Sequence, residues 1–351
     1  MATMVKLNQE LEIAPAIIRG QVIETDLVRF GGRNGDLEFM APDPMSILSR
    51  LPLGNPSRLT DVYKLSVDEI LDYLEELGKA LDIKTNVHLQ HALELTLQTA
   101  AMSESLIRHQ YARLPSLFLR EELEDMVSQV GREYLDGWVL ERTASRGSKR
   151  YVRAFGARAL HIVAGNTPVL SAVTVIRNSV ARGDAIIKAP SNDPFTGIAV
   201  ARTMIDMAPD HPLTKHISIA YWKGGDEAFE SKLYQPHNIE KIVAWGGFSS
   251  VKHVTKYIQP GLELLSFDPK RSISIIGSEA FASEASMDEA AQRVATDFGA
   301  NNQEVCASAR LFMSCRDRTR PVCPRLKNLR VEHMIGCLLY QFRSALLPKA
   351  E

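Results

Sequence analysis

The alternation of apolar and polar positions changes character three times along the chain. Residues 1–62 keep no sustained period and read as irregular, except at Phe30-Gly-Gly-Arg-Asn-Gly-Asp-Leu-Glu-Phe39, where an Asn-Gly pair between short apolar runs predicts a hairpin. From 65 to about 140 the period is helical. Ser66-Val-Asp-Glu69 reads as a capping box, and Val67, Ile70, Leu71, Leu74, Leu77 and Leu81 follow on one helical face. Two more helices are predicted over about 86–111 and 118–138. Their apolar faces suit burial against the rest of the protein or a second subunit, and they carry no recognisable chemistry.

From about residue 150 the pattern becomes strand, helix, strand. Leu160-His-Ile-Val-Ala164, Asp184-Ala-Ile-Ile-Lys188, His216-Ile-Ser-Ile-Ala220 and Lys241-Ile-Val-Ala-Trp245 are short apolar runs spaced roughly 25 to 30 residues apart. That spacing predicts βαβ units and a parallel sheet with helices on both faces. Asn166-Thr-Pro168 is expected to open a helix, with Asn166 as cap and Pro168 at the first position, and Arg182-Gly183 to close it; Asn192-Asp-Pro194 should open the next in the same way. The fold class is therefore α/β, with a doubly wound nucleotide-binding domain over 150–265. The turn after its first strand contains no GxGxxG, so the ordinary dinucleotide fingerprint is absent.

Composition adds boundaries. With 351 residues there is room for two or three domains, and 41 Lys and Arg against 42 Asp and Glu argue against a nucleic-acid partner. No run of 18 apolar residues and no basic-then-apolar opening occurs, which predicts a cytoplasmic protein without membrane insertion. Cys306, Cys315, Cys323 and Cys337 form neither a disulfide framework nor a CxxC, and no structural metal is expected.

Six segments in order carry a resemblance. They are Ala164-Gly-Asn-Thr-Pro168, Ile187-Lys-Ala-Pro-Ser191, Trp222-Lys-Gly-Gly-Asp226, Trp245-Gly-Gly-Phe-Ser-Ser250, Gly261-Leu-Glu-Leu-Leu-Ser-Phe-Asp-Pro269 and Asn302-Gln-Glu-Val-Cys-Ala-Ser-Ala-Arg310. Residues 164–310 resemble the aldehyde dehydrogenase superfamily, and within it the acyl-CoA or acyl-protein thioester reductases that supply long-chain aldehyde in bacterial luminescence. The resemblance implies a Rossmann-like sheet that binds a nicotinamide cofactor without the glycine fingerprint. It divides the chain into a hairpin and helical region (1–145), the cofactor domain (146–270), the start of a catalytic domain (271–313) and a divergent tail (314–351).

The resemblance also implies roles. Cys306 would attack the acyl carbonyl and hold the acyl group as a thioester, which the cofactor reduces to aldehyde. The Asn166 amide and the Cys306 backbone N–H would stabilise the tetrahedral anions. A lone Cys is more often a small buried hydrophobe, but the flanking Asn-Gln and Arg310 favour a nucleophile. Lys188 would reach the adenosine ribose or a 2′-phosphate, and Ser191, standing where NAD-preferring relatives carry an acid, tilts the cofactor toward NADP(H) rather than NAD. Lys223 could add a second positive contact. Gly224 and Gly225 lie in the third segment; Gly246 and Gly247 would admit the pyrophosphate, with Ser249 at a helix start. Glu263 aligns with the general base of aldehyde oxidation, a role equally matched by an ordinary ion-paired carboxylate. His161 reads as a satisfied core imidazole, Trp138, Trp222 and Trp245 as packing, and His253 as solvent-facing.

The resemblance ends after Met313. Residues 314–351 hold 8 Lys and Arg against 3 Asp and Glu, whereas the 313 before them hold 33 against 39. A basic tail can be a nucleic-acid or membrane-surface arm; a shifted reading frame or truncated gene is the preferred explanation, and weak or absent activity of the chain is then expected. The implied partners are an acyl-CoA or acyl-protein thioester, an acyl-protein synthetase and further copies of the chain. The alternatives are a catalytically dead NADP(H)-binding or assembly protein, and a dehydrogenase oxidising aldehyde to acid.

Overall fold

A computed structural model describes residues 11–31, 37–99, 102–143, 147–267, 270–299, 303 and 305–314. The N-terminal segment is more ordered than its pattern suggests. It forms β1 (Glu12–Ile13), β2 (Ala16–Ile18), β3 (Gln21–Ile23), β4 (Leu27–Gly31) and β5 (Glu38–Pro42). β4 and β5 pair antiparallel with Phe30 opposite Phe39, which is the predicted hairpin; its Asn-Gly turn lies outside the described residues. β2 and β3 form a second hairpin through Arg19 and Gly20, both at positive φ (51° and 79°), the geometry of a two-residue turn.

Helices follow: α1 (Pro44–Ile47), α2 (Thr60–Tyr63), α3 (Val67–Ala80), α4 (Val87–Thr99), α5 (Glu104–Arg113), α6 (Arg120–Val130) and α7 (Arg132–Asp136). The capping box on α3 is present: Ser66 Oγ accepts from the Glu69 N–H at 3.2 Å, and Glu69 accepts from the Ser66 N–H at 2.7 Å. Each of the two longer helices predicted after it is divided in two. Between α6 and α7 the break falls at Gly131, whose φ of 96° no continuing helix can adopt. A hairpin of β6 (Val139–Thr143) and β7 (Lys149–Val152) then leads into the sheet.

The sheet comprises β8 (Arg158–Ile162), β9 (Asp184–Lys188), β10 (Ile217–Ala220), β11 (Lys241–Trp245) and β12 (Glu263–Phe267), all parallel, in the order β12-β11-β8-β9-β10, with β2 antiparallel beside β10 and β3 antiparallel beside β2. The helices between them are α8 (Val169–Val180), α9 (Thr196–Met207), α10 (Pro212–Lys215), α11 (Glu227–Leu233) and α12 (Phe248–Thr255). Both faces are covered, which is why the strands read as continuous apolar runs. Ile47 of α1, Phe229 and Leu233 of α11 and Val254 of α12 bury one face with Leu160, Ile186 and Ile242. On the other, α8 and α9 meet the sheet and carry α3, α4 and α6 outside them.

Two helix starts differ from expectation. Pro168, not Asn166, is the cap residue of α8, and no side chain caps it. Before α9 it is Asp193 that accepts from the Thr196 N–H, at 3.1 Å, while the Asn192 amide turns back to the Gly165 carbonyl at 2.6 Å. Trp222 is fully buried, but Trp138 is 61% exposed and meets Phe155, because its hairpin stands outside the core.

The chain divides into two compact units, residues 1–100 with 107–268, and 101–106 with everything from 269. In the second, β13 (Ser272–Ile276) and β14 (Ala309–Ser314) pair in parallel, joined through α13 (Glu284–Gly299). Cys315, Cys323, Cys337 and the basic tail lie outside the described residues.

Candidate functional site

In the first unit the chain runs β8, β9, β10 outward and then returns to place β11 on the other side of β8. Such a reversal opens a crevice at the carboxyl ends of the strands, where the crossing loops diverge and a ligand can enter. The turn carrying Asn166 follows β8, and the Gly246-Gly247 turn follows β11, so the two flank the reversal. Lys188 and Ser191 lie at the end of β9, and Gly224 and Gly225 just past the end of β10.

The Asn166 turn is held from both sides. Asn192 bonds the Gly165 carbonyl, and the Thr167 hydroxyl donates to Gln110 at 2.8 Å. A Cβ on Gly165 would fall 1.9 Å from Asn192 Oδ1 and so would displace the side chain that holds this turn. Lys188 extends over the rings of Trp222 and Tyr221, with Nζ 5.6 and 5.8 Å from their centroids, within cation–π range. Burial pushes its ammonium down to about 8, against the attraction of Glu230. Lys223, by contrast, is exposed.

Around Gly224, Gly225 and Gly247 no heavy atom of the described residues other than their chain neighbours lies within 4 Å of where a Cβ would be, so the backbone is open to close approach. No side chain caps α12, and Ser249 is exposed in its first turn, leaving its leading N–H groups facing an anion-favouring helix end. A half-buried cation, open glycine backbone and an uncapped helix start on one sheet edge suit the diphosphate and ribose of a dinucleotide. None of the leading N–H groups of α12 is taken by a side-chain cap.

Glu263 is not brought to this edge. It is the first residue of β12, paired in register with Lys241, the first residue of β11. The site loops leave the opposite ends of these strands, about 13 Å away at the usual rise per residue. Its side chain is 74% exposed and bonds Lys241, which holds the carboxyl below its usual range. The Leu-Glu-Leu match therefore marks a surface ion pair, because the strand runs four residues further before it reaches the loop edge.

Cys306 belongs to the second unit and is exposed on a turn before β14. That turn is braced by its neighbours. The Cys306 carbonyl accepts from Ser272 Oγ at 2.7 Å, the Gln303 amide donates to the Ala309 carbonyl at 3.2 Å, and Arg310 donates to the Gln303 carbonyl at 3.0 Å. The flanking polar residues thus shape the turn that presents the thiol.

Two further residues escape the sequence. His253 is half-buried, not solvent-facing, and its Nε2 lies 2.6 Å from Glu230. Glu230 is buried on the apolar face of α11 between Phe229 and Leu233. A carboxylate on such a face is the available signal. His161 is buried as expected, yet its Nε2 has no hydrogen-bond partner among the described residues.

A family model described as Acyl-CoA reductase (LuxC) matches residues 62–321. It takes in the helical region before 150 and continues past Met313, where the motifs give out. The chain is 34% identical over 298 residues to the long-chain acyl-protein thioester reductase of Aliivibrio fischeri, and 25% identical over 302 residues to that of Vibrio harveyi. Each alignment covers 84% of this chain and 59% of the relative, so the chain spans less than two thirds of their length. Among solved structures, NADP-dependent glyceraldehyde-3-phosphate dehydrogenase from Bacillus halodurans C-125 superposes with a TM-score of 0.70 at 13% identity, covering 95% of this chain and 65% of that one. Lactaldehyde dehydrogenase from Escherichia coli gives 0.70 at 12% identity, covering 93% and 64%. The fold is that of aldehyde dehydrogenases, and the chain belongs to the acyl-CoA reductase (LuxC) family.

Proposed function

We propose that this chain carries the cofactor-binding and nucleophile-bearing parts of a reductase that converts a long-chain fatty acyl thioester, on CoA or on a protein, to the aldehyde with NADPH. The observation that carries the reading is the loop edge of the parallel sheet, where Lys188, Gly225 and the Gly246-Gly247 turn gather in a chain of this family. Ser191 itself carries no charge that would repel a 2′-phosphate, and the Bacillus halodurans neighbour was solved with NADP in the same fold.

The Cys306 thiolate adds to the acyl carbonyl, and the carbon–sulfur bond to the carrier breaks, releasing the carrier as a thiol after it takes up a proton. When bound, the reduced nicotinamide supplies the hydride for the acyl carbon. The resulting anion expels Cys306 as thiolate and leaves as aldehyde, so the enzyme ends as it began. Asn166 and the Cys306 N–H are the proposed donors to the oxygen, each worth about 10² to 10³ in rate. Glu263 is not needed for these steps, and its pairing with Lys241 at the start of β12 supports the ion-pair reading over that of a general base.

Mass spectrometry of the protein after incubation with a long-chain acyl-CoA tests the reading. An acyl adduct should form on Cys306, be absent from Cys306→Ala, and disappear on addition of NADPH as aldehyde is formed. An inert Cys306 in a protein that still binds NADPH would leave only a dinucleotide-binding protein.

A further inference from the structure

The buried carboxylate of Glu230 gathers partners from the loop after β10, from the residue after α11, and from α12 and the turn beyond it. Its side chain is 2% exposed. Oε1 accepts from the Gly225 backbone N–H at 3.3 Å and from the Tyr234 hydroxyl at 3.4 Å. Oε2 accepts from the Tyr257 hydroxyl at 3.1 Å and meets His253 Nε2 at 2.6 Å. Four donors fill the acceptor capacity of one carboxylate. Gly225 sits in the loop after β10, and His253 is on α12, whose first turn follows Gly247.

We propose that Glu230 is a positioning residue for the dinucleotide, fixing the 222–226 loop, whose Trp222 ring lies under Lys188, to helix α12. The proposal rests on the cofactor reading above. Lys188 lies on the aromatic floor of Tyr221 and Trp222, and burial works against its charge while Glu230 works for it. Of the other titratable groups, Tyr221 lies under Lys188, and Tyr234, His253 and Tyr257 bond Glu230. At the rim Glu227 and Lys256 pair with each other. Substitution of Glu230 should therefore change how cofactor affinity responds to pH, an effect that loss of packing alone does not produce.

The test is fluorescence titration with NADPH between pH 7 and 9.5, alongside thermal unfolding. Wild-type affinity should fall as pH rises through about 8, where Lys188 loses its proton. Glu230→Gln should move that fall down by about one pH unit, which is roughly a threefold loss of affinity at pH 7.5. Lys188→Arg should abolish the fall, and adding Glu230→Gln to it should restore no pH dependence. If Glu230→Gln does not unfold cooperatively, Glu230→Asp carries the test, with a smaller displacement in the same direction. A Glu230 variant that folds and binds NADPH with the wild-type pH profile overturns the proposal. Absence of NADPH binding by the wild type overturns instead the cofactor reading beneath it.

Discussion

A single buried ring shows how strongly position governs chemistry in this protein. His161 is enclosed on the central strand, and burial alone pushes its pKa down to about 4 from an ordinary value of about 6.5. A group whose pKa is lowered by folding supports the native state above its unfolded value and withdraws that support as pH falls. Between pH 7.5 and pH 5 this one residue should cost about 2 kcal/mol of stability. His161→Leu removes the titration, so its urea-unfolding free energy should fall less over that interval than the wild type's. Equal losses in the two proteins would show that the ring is not held neutral. Asp184 behaves in the conventional carboxylate sense: Arg19 and His216 hold it below its usual range despite burial, so its contribution is present above an ordinary Asp pKa of about 4 and disappears as pH falls through the lower folded value.

At the scale of elements, the β2–β3 hairpin is tied in by that same carboxylate. Arg19 bonds both oxygens of Asp184 at the start of β9 and the carbonyls of Leu51 and Lys215. The turn thereby clamps the antiparallel edge to the parallel sheet. A Cβ on Gly20 would lie 2.5 Å from the Pro209 carbonyl oxygen, so the turn is closed on that side as well. Arg19→Met should destabilise the first unit by about 3 to 5 kcal/mol, because Asp184 and His216 would remain buried with the charge balance broken. Urea unfolding at pH 7 measures it, and a change below 1 kcal/mol would mean that the hairpin is held by backbone pairing alone.

At the scale of the whole molecule, the proposed cofactor residues and the proposed nucleophile belong to different compact units. Binding and acylation should therefore be separable by substitution. Lys188→Met is expected to weaken NADPH binding roughly tenfold, about 1.4 kcal/mol, while leaving the rate of Cys306 acylation by acyl-CoA close to wild type. Cys306→Ala should do the reverse. Equilibrium titration and the acyl adduct measured on the two variants check both halves, and a joint loss in either variant would show the two functions to be coupled.

What the sequence determined by itself is local or periodic. The capping box of Ser66 and Glu69, the hairpin flanking Asn34-Gly35 and the apolar strands at 160, 184, 216 and 241 all depend on neighbours within a few residues, and each strand appears where the period places it to within two residues. The ordered loops on the sheet edge were legible for the same reason, since strand ends and glycine turns are written in consecutive letters. The remaining features depend on partners far along the chain, which consecutive letters do not record. Ala16–Ile18 became a strand because β10 offered an edge. Glu263 was separated from the loop edge by the direction of its strand, which a motif match does not encode. Glu230 and His253 acquired meaning through each other, 23 residues apart. Hydrophobic period reports which face is buried, but only packing determines which charges are buried together.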